Sequence, residues 1–317
     1  MRTFKTLLAS AFILTAIVSC DEKEPDNLIT GEPVDQIELN VSFNIASLDD
    51  LWTEGWETRL QYDWDESDST YGALGYSQPE NIKGTIFNID YKTGDRINHF
   101  FKVFALKDST HSFQSAAKYD MLFYNFGTNL ITFYQSDDYK TYTAQGDLLG
   151  RTGELQGTFL KGVEFPPYQS SKLEVDLEPY TYIYLLQIII KNNQDNRITG
   201  ADALTLTGLA KGTSLFTRTT FTDTVSITTS DIKPLQNHRE VSLEDGTTLQ
   251  QAGILAARIL TWGLPANSTA TDRNDLSITL TLQNGQTKTL TRDITTQLRQ
   301  NSKGGVITVC LDAEDLL

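Results

Sequence analysis

Apolar and polar residues alternate through most of this chain. "IELNVSFNI" (37–45) sets Ile37, Leu39, Val41, Phe43 and Ile45 on one face and polar side chains on the other, the period of a half-buried strand. "LQYDW" continues the pattern with Leu60, Tyr62 and Trp64. "YTYIYLLQIII" (180–190) is apolar on both faces, as expected of a central strand buried twice. "LSITLTLQNGQTKTLT" (276–291) is two alternating runs joined at Asn284-Gly285, which predicts a hairpin with a type I′ turn and positive φ at both residues. Thr, Tyr, Phe and Ile dominate these runs, and such side chains suit a pleated, half-buried surface.

Helical patterning is scarce. "QQAGILAARILTW" (250–262) fits a short helix or a strand, and "DITTQLRQNSKGG" (293–305) reads as a helical turn capped by Asp293 and stopped at Gly304. Many short strands with frequent turn signals predict β-sandwiches, so the fold class is all-β. The clearest break falls in "GVEFPPYQSSKLEVDLEP" (162–179). There Pro166-Pro167 remove two backbone donors, and Pro179 precedes the next buried run. A boundary near residue 170 predicts a domain over 37–170 and a second over 171–317, each opening with a strong strand.

The first residues obey different rules. Arg2 and Lys5 precede an apolar stretch from Leu7 to Val18, shorter than the roughly 20 residues that span a bilayer. Residues 1–20 therefore read as a signal peptide. Ile17-Val18-Ser19-Cys20 resembles a bacterial lipobox, which implies that Cys20 becomes the first residue of the mature chain and is acylated. Residues 21–36 begin Asp21-Glu22-Lys23-Glu24 and form an acidic tether. They resemble the export tag of surface-exposed Bacteroidetes lipoproteins.

Charge narrows the choice of partner. The chain carries −15, and loss of Arg2 and Lys5 with the signal peptide takes it to −17. Nucleic acid and anionic membrane surfaces call for a basic patch, so neither is expected as a partner. Membrane attachment rests on lipid, where each buried CH₂ contributes about 0.8 kcal/mol and several chains are needed to hold. Cys310 is the one cysteine left after lipidation. It cannot form an internal disulfide and is expected as a buried, inert thiol.

No catalytic constellation emerges. His99, His111 and His238 are far apart and show no metal-ligand spacing. No phosphate loop, dinucleotide fingerprint or nucleophile elbow occurs. "DWDESDS" (63–69) offers oxygens for Ca²⁺ but lacks the glycine and distant glutamate of an EF-hand loop, so it reads as a solvated acidic turn. "NNQDNR" (192–197) reads as a loop. The chain is expected to need no cofactor and to be no enzyme. Trp52, Trp56 and Trp64, with Tyr62, Tyr71 and Tyr76, form an aromatic cluster. Such rings fill a sandwich core, line a partner groove or give a sugar a stacking platform.

Taken together, "DDLWTEGWETRLQYDWDES", "AKYDMLFYNFGTNLITFY", "YTYIYLLQIII…LTLTGLAKG" and "LSITLTLQNGQTKTLTRDITTQL…GGVITVCLD" resemble the fimbrillin-like lipoproteins of Bacteroidetes, over residues 37–312 or so. That superfamily includes fimbrial shaft subunits, tip subunits and anchors. The resemblance implies two transthyretin-like β-sandwich domains in tandem and a role in fimbriae or adhesion at the outer membrane. It further implies contact with other fimbrial subunits by β-strand addition. Polymerising members lose their first strand to an Arg-specific protease. Here that strand is "IELNVSFNI", and Arg59 is the first arginine after Cys20. A closing strand, "GGVITVCLD", leans toward an anchor, accessory or tip protein. The rival expectation is a surface lipoprotein that binds glycan through Trp52, Trp56 or Trp64.

Overall fold

The structure is a computed structural model that describes residues 36–45, 59–63, 79, 81–115, 117–125, 131–146, 148, 154–167, 169–193, 196–243, 245–269 and 271–314. The strands, in chain order, begin with β1 (Gln36–Ile45), β2 (Asn81–Ile89), β3 (Arg96–Ala105), β4 (Ser109–Gln114), β5 (Lys118–Asn125) and β6 (Thr132–Gln135). Next come β7 (Tyr142–Gln145), β8 (Gln156–Glu164), β9 (Ser171–Pro179), β10 (Tyr182–Lys191), β11 (Ile198–Ala210) and β12 (Gly212–Ser214). The series ends with β13 (Thr224–Thr229), β14 (Ile232–Ser242), β15 (Thr248–Thr261), β16 (Asp275–Leu282), β17 (Thr287–Asp293) and β18 (Gly305–Asp312). Among the described residues a helix, α1 (Thr295–Gln300), precedes β18. The all-β expectation holds.

The first nine strands, apart from β6 and β7, form one seven-stranded sheet in the order β3-β2-β5-β8-β9-β1-β4. It folds over at the β8–β9 corner, where pairing is confined to Gln156 with Pro179 and Gly157 with Glu178. The β4-β1-β9 half thereby faces the β3-β2-β5-β8 half. Ile37, Leu39, Val41 and Phe43 of β1 meet Ile82, Ile86, Phe104, Met121 and Phe123 in one core. The alternation of "IELNVSFNI" is thus used as the period-two rule requires, except that Ile45 is only partly buried.

A second sandwich pairs the sheet β14-β15-β10-β18 with the sheet β13-β11-β16-β17. Tyr184, Leu186, Ile188 and Ile190 point into its core with Leu204, Leu206, Ile278, Leu280, Ile307 and Val309. "QQAGILAARILTW" lies mostly in β15, so of its two expected forms the strand is the one adopted. Its apolar faces pair against β10 from Tyr182–Thr261 to Ile190–Gly253, and inter-strand bonding outweighs the helix preference of Ala and Leu.

The small sheet β12-β7-β6 unites Gly212–Ser214 with residues 132–145. Beneath it lies a third core. Phe87, Leu122 and Tyr124 from the seven-stranded sheet meet Ile183, Leu185, Leu260, Trp262 and Val306 there. This explains why β10 is apolar on both faces, as its sequence demands.

The ends of α1 differ from the expected cap and stop, for its N-cap is Ile294, with no side-chain cap bond, and its C-cap is Asn301. Gly304 takes φ +93° after α1, and the Asp293 carboxylate accepts hydrogen bonds from the Thr295 N–H and hydroxyl at 3.0 and 2.6 Å. The predicted β16–β17 hairpin forms, but its turn departs from type I′. Of the expected pair only Gly285 has positive φ, at +77°. Gly285 N–H donates to Leu282 O (2.9 Å) and Leu282 N–H to Gln286 O (2.8 Å). That is a three-residue loop ending in a left-handed glycine, another common hairpin solution. It prevails because the Asn284 side chain accepts a hydrogen bond from Gln286 N–H (2.9 Å), leaving Asn284 no need of a left-handed backbone.

These two glycines make a graded prediction. A Cβ at Gly285 meets nothing within 4 Å, so Gly285→Ala is expected to cost only the left-handed backbone term, about 1–2 kcal/mol. At Gly304 a Cβ would lie 2.5 Å from Ile183 O, so Gly304→Ala should cost distinctly more. Urea unfolding of both variants checks the order.

Candidate functional site

The strand singled out by sequence lies inside its sheet. β1 pairs antiparallel with β4 (Gln36–Gln114 to Val41–Ser109) and parallel with β9 (Leu39–Ser171 to Ile45–Leu177). Asn40 Nδ2 donates to Thr110 Oγ1 (3.2 Å) and Asn44 Nδ2 to Asp176 Oδ1 (2.9 Å). Burial of four large apolar side chains contributes on the order of 10 kcal/mol. Taking β1 out would uncover that core and leave β4 and β9 with unpaired backbone edges.

A second feature involves Arg59. The sequence suggested a strand for "LQYDW", yet Leu60–Asp63 pair with no strand. They run as an irregular strap over the outer face of the β14-β15-β10-β18 sheet. Side-chain amides take the place of strand partners. Gln187, 1% exposed on β10, accepts from Gln61 N–H at its Oε1 (2.9 Å) and donates from Nε2 to Arg59 O (2.8 Å). The same Nε2 also donates to Thr308 Oγ1 (2.7 Å), which fixes the amide's orientation. Gln236 repeats the device on Asp63, accepting from its N–H (2.9 Å) and donating to its carbonyl (2.6 Å).

The side chains of the strap are anchored too. Arg59 donates from Nη1 to Asn301 Oδ1 (3.2 Å) and from Nη2 to Val306 O (3.1 Å). Tyr62 is buried with Ile189, Val241, Ala252, Ile254 and Ala256, while its hydroxyl donates to Pro234 O (3.0 Å). Nothing in the chain's alternation announces the two glutamines. The one available signal is a lone polar residue, Gln187, inside an otherwise apolar run.

Beside the strap lies a cleft of about 260 Å³ lined by Arg59, Gln61, Gln187, Leu243, Asp245 and Cys310, among others. Cys310 is half-buried rather than fully enclosed, because its strand face is covered by the strap instead of by a sheet. Burial pushes its thiol up from the ordinary value, Lys191 opposes this and Asp245 adds to it.

The remaining candidates stay apart or serve packing. His99 sits among Phe87, Phe101 and Tyr139, His111 bonds Ser109 Oγ (2.8 Å), and His238 neighbours Gln236. Burial, then the Lys102 ammonium, hold the His111 imidazole below its ordinary value. Among the described residues no group of three His, Cys, Asp or Glu is placed to hold a metal. Arg96, unmarked by sequence reasoning, pairs with buried Asp120 (2.8 Å) and lies over the rings of Phe87, Phe159 and Phe216. A cavity of about 310 Å³ is lined by Lys211, Val225, Trp262 and neighbours. Trp262 is 1% exposed and its Nε1 donates to Gly146 O (3.2 Å), so its ring packs and offers no open stacking face. Cys20, Trp52, Trp56 and Trp64 lie outside the described residues, as do Tyr71, Tyr76 and most of "DWDESDS".

No protein-family model and no curated protein sequence matches the chain. Solved structures do. The chain is similar to a provisionally named adhesin from Bacteroides thetaiotaomicron, with 11% identity, 90% of this chain and 94% of that one covered, and a TM-score of 0.47. It is also similar to the fimbrial anchor protein Mfa2 from Porphyromonas gingivalis, at 12% identity, 88% and 91% coverage, and a TM-score of 0.44. A fimbrial assembly protein from Parabacteroides distasonis matches at 10% identity, 88% and 91% coverage, and a TM-score of 0.39. Among the described residues no helix is long and apolar enough to cross a membrane.

The cleft yields a prediction about Cys310. Its raised pKa means less thiolate at a given pH, and the thiolate is the nucleophile. In the folded protein, alkylation by iodoacetamide should set in at higher pH than for the same cysteine in urea. At about pH 8 the folded chain should label more slowly. Mass spectrometry of both states over a pH series checks it; coincident profiles would contradict it.

Proposed function

We propose that this chain is a lipid-anchored outer-membrane protein of fimbrillin type that serves in fimbrial anchoring or assembly, or in adhesion, without enzymatic activity. The observation that carries the reading is the position of β1. It is an interior strand whose neighbours β4 and β9 hold it by backbone pairing and whose four apolar side chains fill the core. A strand so placed is what β-strand addition between subunits would exchange, and a chain that keeps it closed is suited to end or anchor an assembly. The mode of attachment, acylated Cys20 followed by an acidic tether over 21–36, comes from the lipobox resemblance. β18 is likewise paired within its own sheet, lying parallel to β10 from Tyr184–Gly305 to Lys191–Asp312.

The reading includes two domains with a boundary near residue 170. Supporting it, β1–β5 and β8 share the first sheet and β10, β11 and β13–β18 build the second sandwich, while β6 and β7 pair with β12 across the boundary. β9 (Ser171–Pro179) pairs with β1, so a boundary just after it suits the pairing best. Other fimbrial subunits are the proposed partners.

The intact mass of the mature protein released from its native cell surface tests this. A chain beginning at acylated Cys20 with β1 retained is the expected result. A chain beginning at Leu60 would reassign the protein to the polymerising subunits. Cys20→Ala should move the protein out of the membrane fraction; unchanged membrane association would remove the lipid anchor from the reading.

A further inference from the structure

Any protease specific for arginine must take hold of two groups, the guanidinium and the carbonyl of the scissile bond, the latter to place its oxygen against an oxyanion hole. In this fold both groups of Arg59 are already engaged. The guanidinium is donated to Asn301 Oδ1 and Val306 O, and the carbonyl oxygen accepts from Gln187 Nε2. We infer that the outer face of the β14-β15-β10-β18 sheet is a main-chain clasp that closes the Arg59–Leu60 bond to proteolysis, with Gln187 as its controlling residue. This rests on the proposed function, in which β1 is retained, and adds what keeps the Arg59–Leu60 bond closed.

Three residues on the C-terminal side of the bond are tied down. Gln61 N–H is held by Gln187 Oε1, the Tyr62 hydroxyl by Pro234 O, and both main-chain groups of Asp63 by Gln236. Tyr62 fills an apolar patch that would otherwise be open. Fitting the segment to an enzyme therefore requires these contacts to open together, and local opening of that kind controls cleavage in folded proteins. The clasp recognises main chain rather than side chains, because a glutamine amide offers one donor and one acceptor with the spacing of a peptide group.

Two consequences separate this device from ordinary burial. Hydrolysis adds one water across the Arg59 carbonyl carbon and the Leu60 nitrogen, leaving a carboxylate on Arg59 and an amine on Leu60. The amine end would remain docked, since Gln61, Tyr62 and Asp63 keep their partners on Gln187, Pro234 and Gln236. Cleavage would sever the covalent link to what lies upstream without stripping the strap from the second sandwich, while β1 stays held by β4 and β9. Processing before this sheet has folded meets no clasp, so the order of folding and export decides whether Arg59 is used.

Limited digestion of the full mature chain with an Arg-specific protease, read by intact mass, tests the inference. The bond after Arg273, whose side chain is 62% exposed and pairs with the Asp275 carboxylate (2.6 Å) but whose carbonyl no glutamine among the described residues holds, is the internal reference. In the wild type, cutting after Arg59 should be slower than after Arg273. Gln187→Ala should speed cutting after Arg59 about tenfold, as expected when an opening step that limits cleavage is eased. The Arg273 rate should stay within about twofold. Equal wild-type rates at the two bonds would overturn the inference. So would a Gln187→Ala rise shared by both bonds, or no rise at all. Should Gln187→Ala fail to fold, Gln236→Ala carries the test, with a rise confined to Arg59 expected and a shared or absent rise overturning it. The mass of the cell-surface protein is a separate result. A native chain beginning at Leu60 together with a Gln187-dependent Arg59 rate keeps the clasp and overturns the retention of β1 in the proposed function.

Discussion

Strand β10 has no face left for water. Its inner side chains, Tyr184, Leu186, Ile188 and Ile190, belong to the second sandwich's core. Ile183 and Leu185 on the outer side belong to the core shared with the seven-stranded sheet. Gln187 stands on that outer side at 1% exposure. A buried amide without partners costs about 1–3 kcal/mol, so it has to be met by something. What meets it comes from residues 59–61, far away in sequence, and from Thr308 on β18. The strap, the half-buried state of Cys310 and the shielding of Arg59 all follow from satisfying one side chain.

The seven-stranded sheet responds to a different constraint. A sheet that long would expose one face, but pairing at the β8–β9 corner is so brief that the sheet folds back on itself. β1 then becomes the inner strand of one half, with its apolar side chains against β2, β3 and β5. The pairing itself is mixed, parallel to β9 and antiparallel to β4. A parallel neighbour needs a long connection, and β9 is separated from β1 by most of the domain. The strand that sequence and resemblance pick out as governing assembly is thus held by long-range contacts. Local propensity contributes little to keeping it there.

Much of this was legible in the chain. The period-two runs gave β1, β10, β16 and β17, and the doubly apolar run announced a strand buried on both sides. What the runs could not give was the identity of the cover. Asn284-Gly285 marked the hairpin correctly, yet the turn class depended on where the Asn284 carboxamide finds its donor. "LQYDW" looked like a strand because Leu60, Tyr62 and Trp64 alternate. In the fold Tyr62 is buried as such a pattern asks, but the main chain of residues 59–63 bonds glutamine side chains. Alternation reports which side chain turns inward and says nothing about what the backbone bonds to. Of the aromatic cluster Tyr62 is described and packs in a core, while Trp52, Trp56, Trp64, Tyr71, Tyr76 and Cys20 fall outside the described residues.

Two glutamines that each grip both main-chain groups along one segment act as a short strand would, without extending the sheet. A true fifth strand beside β14 or β18 would present a new open edge, and open edges invite unwanted pairing. Amide forks standing on the sheet face satisfy the same backbone groups and end there. The segment is consequently fixed at a few points instead of along a continuous ladder. It is released when these few contacts open together, where a strand such as β1 must break a whole register. The two ends of the connection that follows β1 are therefore held with very different strength. In this fold the reversible step belongs to the strap and the costly one to the strand.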